Sequence, residues 1–401
     1  MSNTQKHTKP NVPNLRFPGF EASWCDSLVG KEFELYSGNT PSRLDKNNFM
    51  GEINWITSGE LKDHYIGDTK EKITEESAIA NNLKLLPRGT FVIAIYGLEA
   101  EGVRATGSIT TKKSTISQAC MAFIPKGRIS NEFLYSWYKR HGNSIGIKYA
   151  QGTKQQNLSY EIIERLKIHF PSHQEQEKIS AFIKLLDARI DIQNKVIERY
   201  QSLIRAIMQE SQQKATSIIS LREVLSERRE LNSEGYQICS VSVSKGIVNQ
   251  VEYLGRSFAA KETNHYHVVK EGDIVYTKSP TGSFPYGIIK QSTLASPVAV
   301  SPLYGVYTPI TPEIGTYLHF YFCSPENTLN YLRKLIQKGA KNTINITNNH
   351  FLENTIRIPD KKTMSSTVTA IKTLSSRVEI EVSYLQSLEL QRDYILNQMF
   401  I

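Results

Sequence analysis

The sequence predicts an α+β protein: two mixed α/β domains, related by a pseudo-two-fold, separated by two long antiparallel coiled-coil helices. Three observations predict it: an internal duplication, heptad helices, and short β-type runs in each half. Residues Gly152–Met208 and Gly339–Met399 both open with Gly-x-Lys, pass a short strand ending in proline, and enter a long helix. Pro171 and Pro359 lie 359 − 171 = 188 residues apart. At that offset Leu186 pairs with Leu374, Arg189 with Arg377, Ile190 with Val378 and Ile197 with Leu385. So long a period is a duplicated domain-sized module, not a solenoid. A pseudo-two-fold molecule suits a ligand with two halves.

The helices carry the clearest periodicity. Ile179, Ile183, Leu186, Ile190, Gln193, Ile197, Tyr200, Ile204 and Ile207 step by four and three. Ile371, Leu374, Val378, Glu381, Leu385, Leu388, Arg392 and Ile395 do the same in the second copy. A 3.5-residue repeat is a coiled-coil seam, and polar residues such as Gln193 and Glu381 within it fix register. Two copies on one chain can close on each other, so an intramolecular antiparallel pair is expected. Each helix would span on the order of 50 Å at 1.5 Å per residue.

The β-type runs FVIAIYG (91–97) and CMAFIP (120–125) sit among Gly, Asn, Thr and Ser turns. A helix is expected from Asn131, acting as an N-cap, to Arg140. LLPRGTFVIAIYG matches HVVKEGDIVYTKSP with Gly89 opposite Gly272, an offset of 272 − 89 = 183. NEFLYSWY likewise faces EIGTYLHFYF. The expected domains are 1–171 with a flexible leader over about 1–14, a helical region 172–212, a second domain 213–359, and a helical region 360–401.

The chain has 401 residues, enough for two or three domains. No apolar run reaches the roughly 18 residues of a membrane span, and the polar start lacks the apolar core of a signal peptide. Cys25, Cys120, Cys239 and Cys323 are scattered, which points to buried free thiols in a reducing cytoplasm and to no metal site. Net charge is +9. Lys and Arg release counterions from phosphates, but charge alone does not separate a polyanion binder from a merely basic protein.

Catalytic signatures are lacking in the sequence. There is no Gly-rich dinucleotide fingerprint, no phosphate loop, no nucleophile elbow, no HExxH, and no Asn-Pro-Pro-aromatic motif of amino-methyltransferases. Pro359-Asp360-Lys361-Lys362 faintly resembles a nuclease core, yet Asp360 reads better as a helix N-cap. Glu99 and Glu101 read as a solvated Gly-flanked loop.

Several motifs together resemble the specificity (S) subunit of type I restriction-modification systems, over essentially the whole chain. They are Leu15-Arg16-Phe17-Pro18-Gly19-Phe20 with Trp24; Gly38-Asn39-Thr40-Pro41-Ser42; Gly152-Thr153-Lys154-Gln155 with Leu158; and Pro171 followed by Gln174-Glu175-Gln176-Glu177-Lys178-Ile179. The second copy departs from the pattern, with no Gly-x-Thr-Pro and with Asp360-Lys361-Lys362-Thr363 replacing the Gln-Glu-Gln run. The resemblance implies two target recognition domains, each reading half of a bipartite double-stranded DNA target. It implies that the helices set the gap and dock modification (methyltransferase) subunits, two of them, with restriction (translocase/nuclease) subunits as further partners. No cofactor is expected on this chain. S-adenosylmethionine would belong to the modification subunit, and ATP and Mg to the restriction subunit. The alternative is a single-chain DNA methyltransferase or nuclease with an unrecognised active site.

DNA contacts are expected in polar loops at strand ends. The first-domain candidates are Thr40, Pro41, Ser42, Arg43, Trp55, Thr57, Ser58, Tyr96, Arg104, Lys112, Lys154 and Gln155. By alignment the second set is Ser240, Ser242, Lys245, Tyr276, Lys278, Ser279, Lys341 and Asn342. The Gly152 and Gly339 loops lead because they recur with Lys154 and Lys341 retained. Ile183, Leu186, Ile190, Ile197, Ile371, Leu374, Val378 and Leu385 are the expected seam of the helical spacer.

Overall fold

One strand order is built twice. The computed structural model describes residues 11–100, 102–152, 155–250, 262–338 and 344–401. In the first half a sheet runs in the order Phe33–Ser37, Cys120–Pro125, Phe91–Ala94, Gly107–Thr110, Tyr65–Ile66. In the second half the order is Leu225–Glu227, Gly305–Pro309, Ile274–Thr277, Ile288–Gln291. The first four positions correspond, and every neighbouring pair among them is antiparallel in both copies. The proline-ending strand also recurs: Lys167–Phe170 pairs with Cys25–Leu28, and Thr355–Ile358 with Ser217–Ser220. The duplication read from the sequence is therefore a duplication of topology.

The chain divides into two compact units, Met1–Lys195 with Val382–Ile401, and Val196–Glu381. The long helices His173–Gln213 and Lys361–Met399 are therefore shared between the units rather than forming regions of their own. They have 41 and 39 residues, or about 60 Å each at 1.5 Å per residue. Within the first unit Asp187 lies 3.7 Å from Arg392, and Arg189 donates to the Tyr384 hydroxyl. Within the second unit Arg377 bonds Tyr200. Numbers rise along one helix as they fall along the other, so the pairing is antiparallel. Ile183, Ile190, Ile197, Ile371 and Leu388 are buried, while Leu186, Leu374, Val378 and Leu385 are half-buried. Gln193 and Glu381 are buried polar positions on their own helices.

Each sheet packs one face on helices. In the first unit Phe33, Phe91 and Phe123 meet Phe133 and Tyr135 of the helix Asn131–Tyr149, then Ile179 and Ile183, then Ile395, Met399 and Phe400. In the second unit Tyr276 and Tyr307 stack on Phe351 at 4.9 and 4.7 Å, and Val368 and Ile371 close the same cluster. Burying such aromatics contributes several kilocalories per mole through area alone.

The motif at the start of the chain has a structural reason. Arg16 grips Glu175 with two bonds of 2.7 Å, and Glu175 is 1% exposed. Phe17 packs edge-on against Phe182, and Lys178 sits over the Phe20 ring. Gln176, fully buried, donates to the carbonyls of Arg128 and Pro171 and accepts from the Ser130 amide. The start of the chain and the start of the first long helix are thus one packed unit.

Four expectations need correction. Residues 11–14 are not a loose leader: Asn11 bonds the Trp24 backbone and Asp26, and Pro13 is buried. The helix from Asn131 extends to Tyr149, and its cap is Ser130, whose hydroxyl accepts from the Phe133 amide. Asn131 instead donates to the Gly89 carbonyl. Cys120 and Cys239 are buried, but Cys323 is half-buried and Cys25, on a two-stranded edge, is exposed. Asp360 does cap the second long helix, accepting from the amides of Lys362 and Thr363. Among the described residues no helix is long and apolar enough to cross a membrane.

Candidate nucleic-acid interface

In the first unit, the strand Phe91–Ala94 runs into a loop that meets the segment Gln151–Ser159. Ile95 accepts from the Leu158 amide, Gln156 accepts from the Leu98 amide, and Gln151 and Asn157 pair through their backbones. Tyr96, Gly152 and Gln155 line one open groove there, beside Ser37 and Met121. Tyr96 is 38% exposed although it follows a buried strand. Gly152 has φ +119°, and a Cβ would fall 1.9 Å from the Gln155 carbonyl oxygen. Only glycine fits there, which is a physical reason for the Gly-x-Lys loop. Lys154 lies outside the described residues.

Two neighbours, Glu99 and Arg104, hold this loop. Glu99 accepts the Gln156 amide at 2.7 Å, and that bond holds the carboxyl below its ordinary range. Glu99 is therefore a loop clamp rather than a freely solvated residue; Glu101 lies outside the described residues. Arg104 donates to the Gln156 side chain at 2.9 Å and packs against Gly146. It supports the loop from below.

A second candidate group sits around the strand Ile53–Ile56. Trp55 is 2% exposed, and its indole donates to the Asn39 carbonyl at 3.1 Å. It is framework, so the expectation that it touches DNA is corrected. Arg43 forms a fork with Glu71 at 2.7 and 2.9 Å and lies over the rings of Phe49 and Trp55. The Glu71 carboxylate raises its pKa, so its charge is already paired within the protein. Pro41 is buried beneath this loop, whereas Ser42 is exposed and Thr40 half-buried. Thr57 forms a capping box with Glu60, which leaves Ser58 on a short rigid turn. Lys112 is exposed and bonds Asp68 at 3.1 Å.

In the second unit Ser240 and Ser242 lie on the hairpin Cys239–Ser242 and Gly246–Asn249, with exposed Lys245 in its turn. Ser242 is buried and turned toward that turn, its hydroxyl 3.4 Å from the Lys245 amide. Tyr276 is fully buried and donates to the Tyr286 carbonyl, so it too is corrected from contact to core. Lys278 and Ser279 follow directly at the strand end; burial pulls the Lys278 ammonium below its ordinary value. Gly339, Lys341 and Asn342 lie outside the described residues.

The arrangement can present polar side chains from strand ends on rigid sheets, as base readout needs. Residues 30–199 match the type I restriction modification DNA specificity domain. Two curated proteins are similar to part of the chain. The chain is 28% identical over 173 residues to the type I restriction enzyme MjaIX specificity subunit of Methanocaldococcus jannaschii, covering 41% of this chain and 39% of that protein. It is 25% identical over 188 residues to the EcoR124I/EcoR124II specificity subunit of Escherichia coli, covering 46% and 45%. The chain thus spans less than half the length of either relative. The fold matches the type I restriction-modification S subunit from M. genitalium with a TM-score of 0.57 at 14% identity, over 97% of this chain and 99% of that one.

Proposed function

We propose that this chain is the non-catalytic DNA sequence-specificity subunit of a type I restriction-modification complex. Each sheet unit reads one half of a bipartite double-stranded DNA target. The paired helices set the gap and dock two modification subunits, with restriction subunits joining the assembly. The observation that carries this reading is the repeated strand order, one copy of which lies in a matched specificity domain. Two copies of one reading platform fit two half-sites, and differences between their loops fit two different sequences.

On this reading phosphate contacts come from exposed Lys112, Lys245 and the two loop lysines Lys154 and Lys341, with Asn342 beside the last. Base edges are met by Ser42, Ser58, Tyr96, Gln155, Ser240 and Ser279, with Thr40, Thr57 and Lys278 at the margins. S-adenosylmethionine is bound by the modification subunit, and ATP and Mg by the restriction subunit. The assembly works in the cytoplasm. The test is domain exchange: replacing residues 25–150 with those of another specificity subunit should change one half-site of the methylated sequence and leave the other. A change in both halves would refute independent reading.

A further inference from the structure

His64 follows the Thr57–Glu60 turn by a few residues and is buried within the first unit. Its ring is stacked between Tyr65 and Tyr135, with centroids 4.3 and 3.8 Å away and planes within 4° and 9° of parallel. Nε2 lies 3.0 Å from Glu132 Oε2 and bonds it, while Nδ1 lies 3.3 Å from Asp187 Oδ2, at ion-pair distance but without hydrogen-bond alignment. Glu132 belongs to the helix packed on the sheet, Asp187 to the first long helix. Asp187 also faces Arg392 of the second long helix at 3.7 Å and accepts from the Tyr135 hydroxyl. One imidazole therefore joins the recognition sheet, its covering helix and, through Asp187, both long helices.

The chemistry needs a charged ring. A neutral imidazole has one N–H and one lone pair, so it can donate to only one of two carboxylates and turns its lone pair on the other. An imidazolium donates to Glu132 and sets its positive charge against Asp187 as well. The remaining charges around it nearly balance. Asp63 and Asp191 add negative charge, while Lys184 over Tyr65 and Lys139 over Tyr135 add positive charge with Arg392. Burial pushes His64 down, but the interactions with Asp187 and Glu132 outweigh it and hold the ring above its ordinary value. Burial also pulls Lys139 down and pushes Asp191 up.

We propose that His64 is a positioning residue: as a cation it locks the Thr57–Glu60 turn to the long helices, so the first unit's grip on its half-site weakens when the proton leaves. The inference rests on the functional reading above. At the 183-residue offset the second unit has Ile247, which is buried and cannot titrate, so the dependence belongs to one half-site only. Because the folded value is raised, the stabilisation is complete below about 6.5 and is lost as pH rises through the raised value.

The test uses the full chain assembled with its modification subunits, on a duplex whose target has been defined by base-modification mapping. Affinity should fall about 5-fold or more between pH of about 6 and 9, the range of a small coupling energy. A duplex with the first half-site scrambled should lose this slope, and one with the second half-site scrambled should keep it. His64→Gln should bind at the weak level throughout. Glu132→Gln keeps the stacked ring and removes one negative charge beside it, so it should move the fall to lower pH even if His64→Gln does not fold. A flat wild-type profile, or an unmoved fall in Glu132→Gln, overturns the proposal. Absence of any bipartite target would instead sink the functional reading on which it rests.

Discussion

Gly89 and Gly272 hold the same place in two copies of one sheet. Their φ angles are +86° and +87°, and their amides donate to the carbonyls of Thr110 and Ser292 at 2.7 and 2.8 Å. Neither has an atom within 4 Å of where a Cβ would stand. Alanine at either site is therefore penalised by backbone strain alone, about 1–2 kcal/mol. Gly89→Ala and Gly272→Ala should each lower the stability of their own unit by that amount, measured by denaturant unfolding with a probe in each unit. A loss much larger at one site than the other would mean the two turns are not equivalent.

Removing Glu175 should be far more damaging. Arg16 would be left partly buried without its two charge-assisted bonds. Breaking one partner of a buried pair costs about 3–5 kcal/mol. Glu175→Ala should show that loss in unfolding experiments, whereas Glu177→Ala, on an exposed neighbour, should lie within about 0.5 kcal/mol of wild type.

The tyrosine corrected from contact to core offers a sharp separation of stability from reading. Tyr276→Phe removes only the bond to the Tyr286 carbonyl. The expected loss is about 1 kcal/mol of stability, with the methylated sequence unchanged. Tyr96→Ala should do the reverse, because its ring is exposed beside the Gly152 loop. Altered base preference in Tyr276→Phe would contradict the assignment.

Adding four residues within Lys184–Gln201 lengthens the first long helix by about 6 Å. Against roughly 3.4 Å per base step, the gap between half-sites should widen by one or two base pairs. An unchanged gap with surviving activity would remove the spacer role.

The fold was legible where period and punctuation carry it. Prolines 171 and 359 mark the duplicated strands, and the four-three steps from Ile179 to Ile207 mark the buried and half-buried face of the first long helix. The glycine pair 89 and 272 was legible because a turn at positive φ favours glycine. The interface was less so. Trp55 and Tyr276 border polar turns in the sequence, and only the sheet shows that both point inward. Arg43 reads as a free cation until Glu71, 28 residues away, closes on it. His64 meets Asp187 across 187 − 64 = 123 residues. Partners so far apart along the chain leave no local pattern, so a single sequence cannot signal them.

The most direct measurement is base-modification mapping of genomic DNA from cells expressing this chain with its modification subunit, against cells that lack the chain. The account predicts a new adenine-methylated motif of two short specific halves around a fixed non-specific gap. An undivided motif, or the same methylation without this chain, would contradict it.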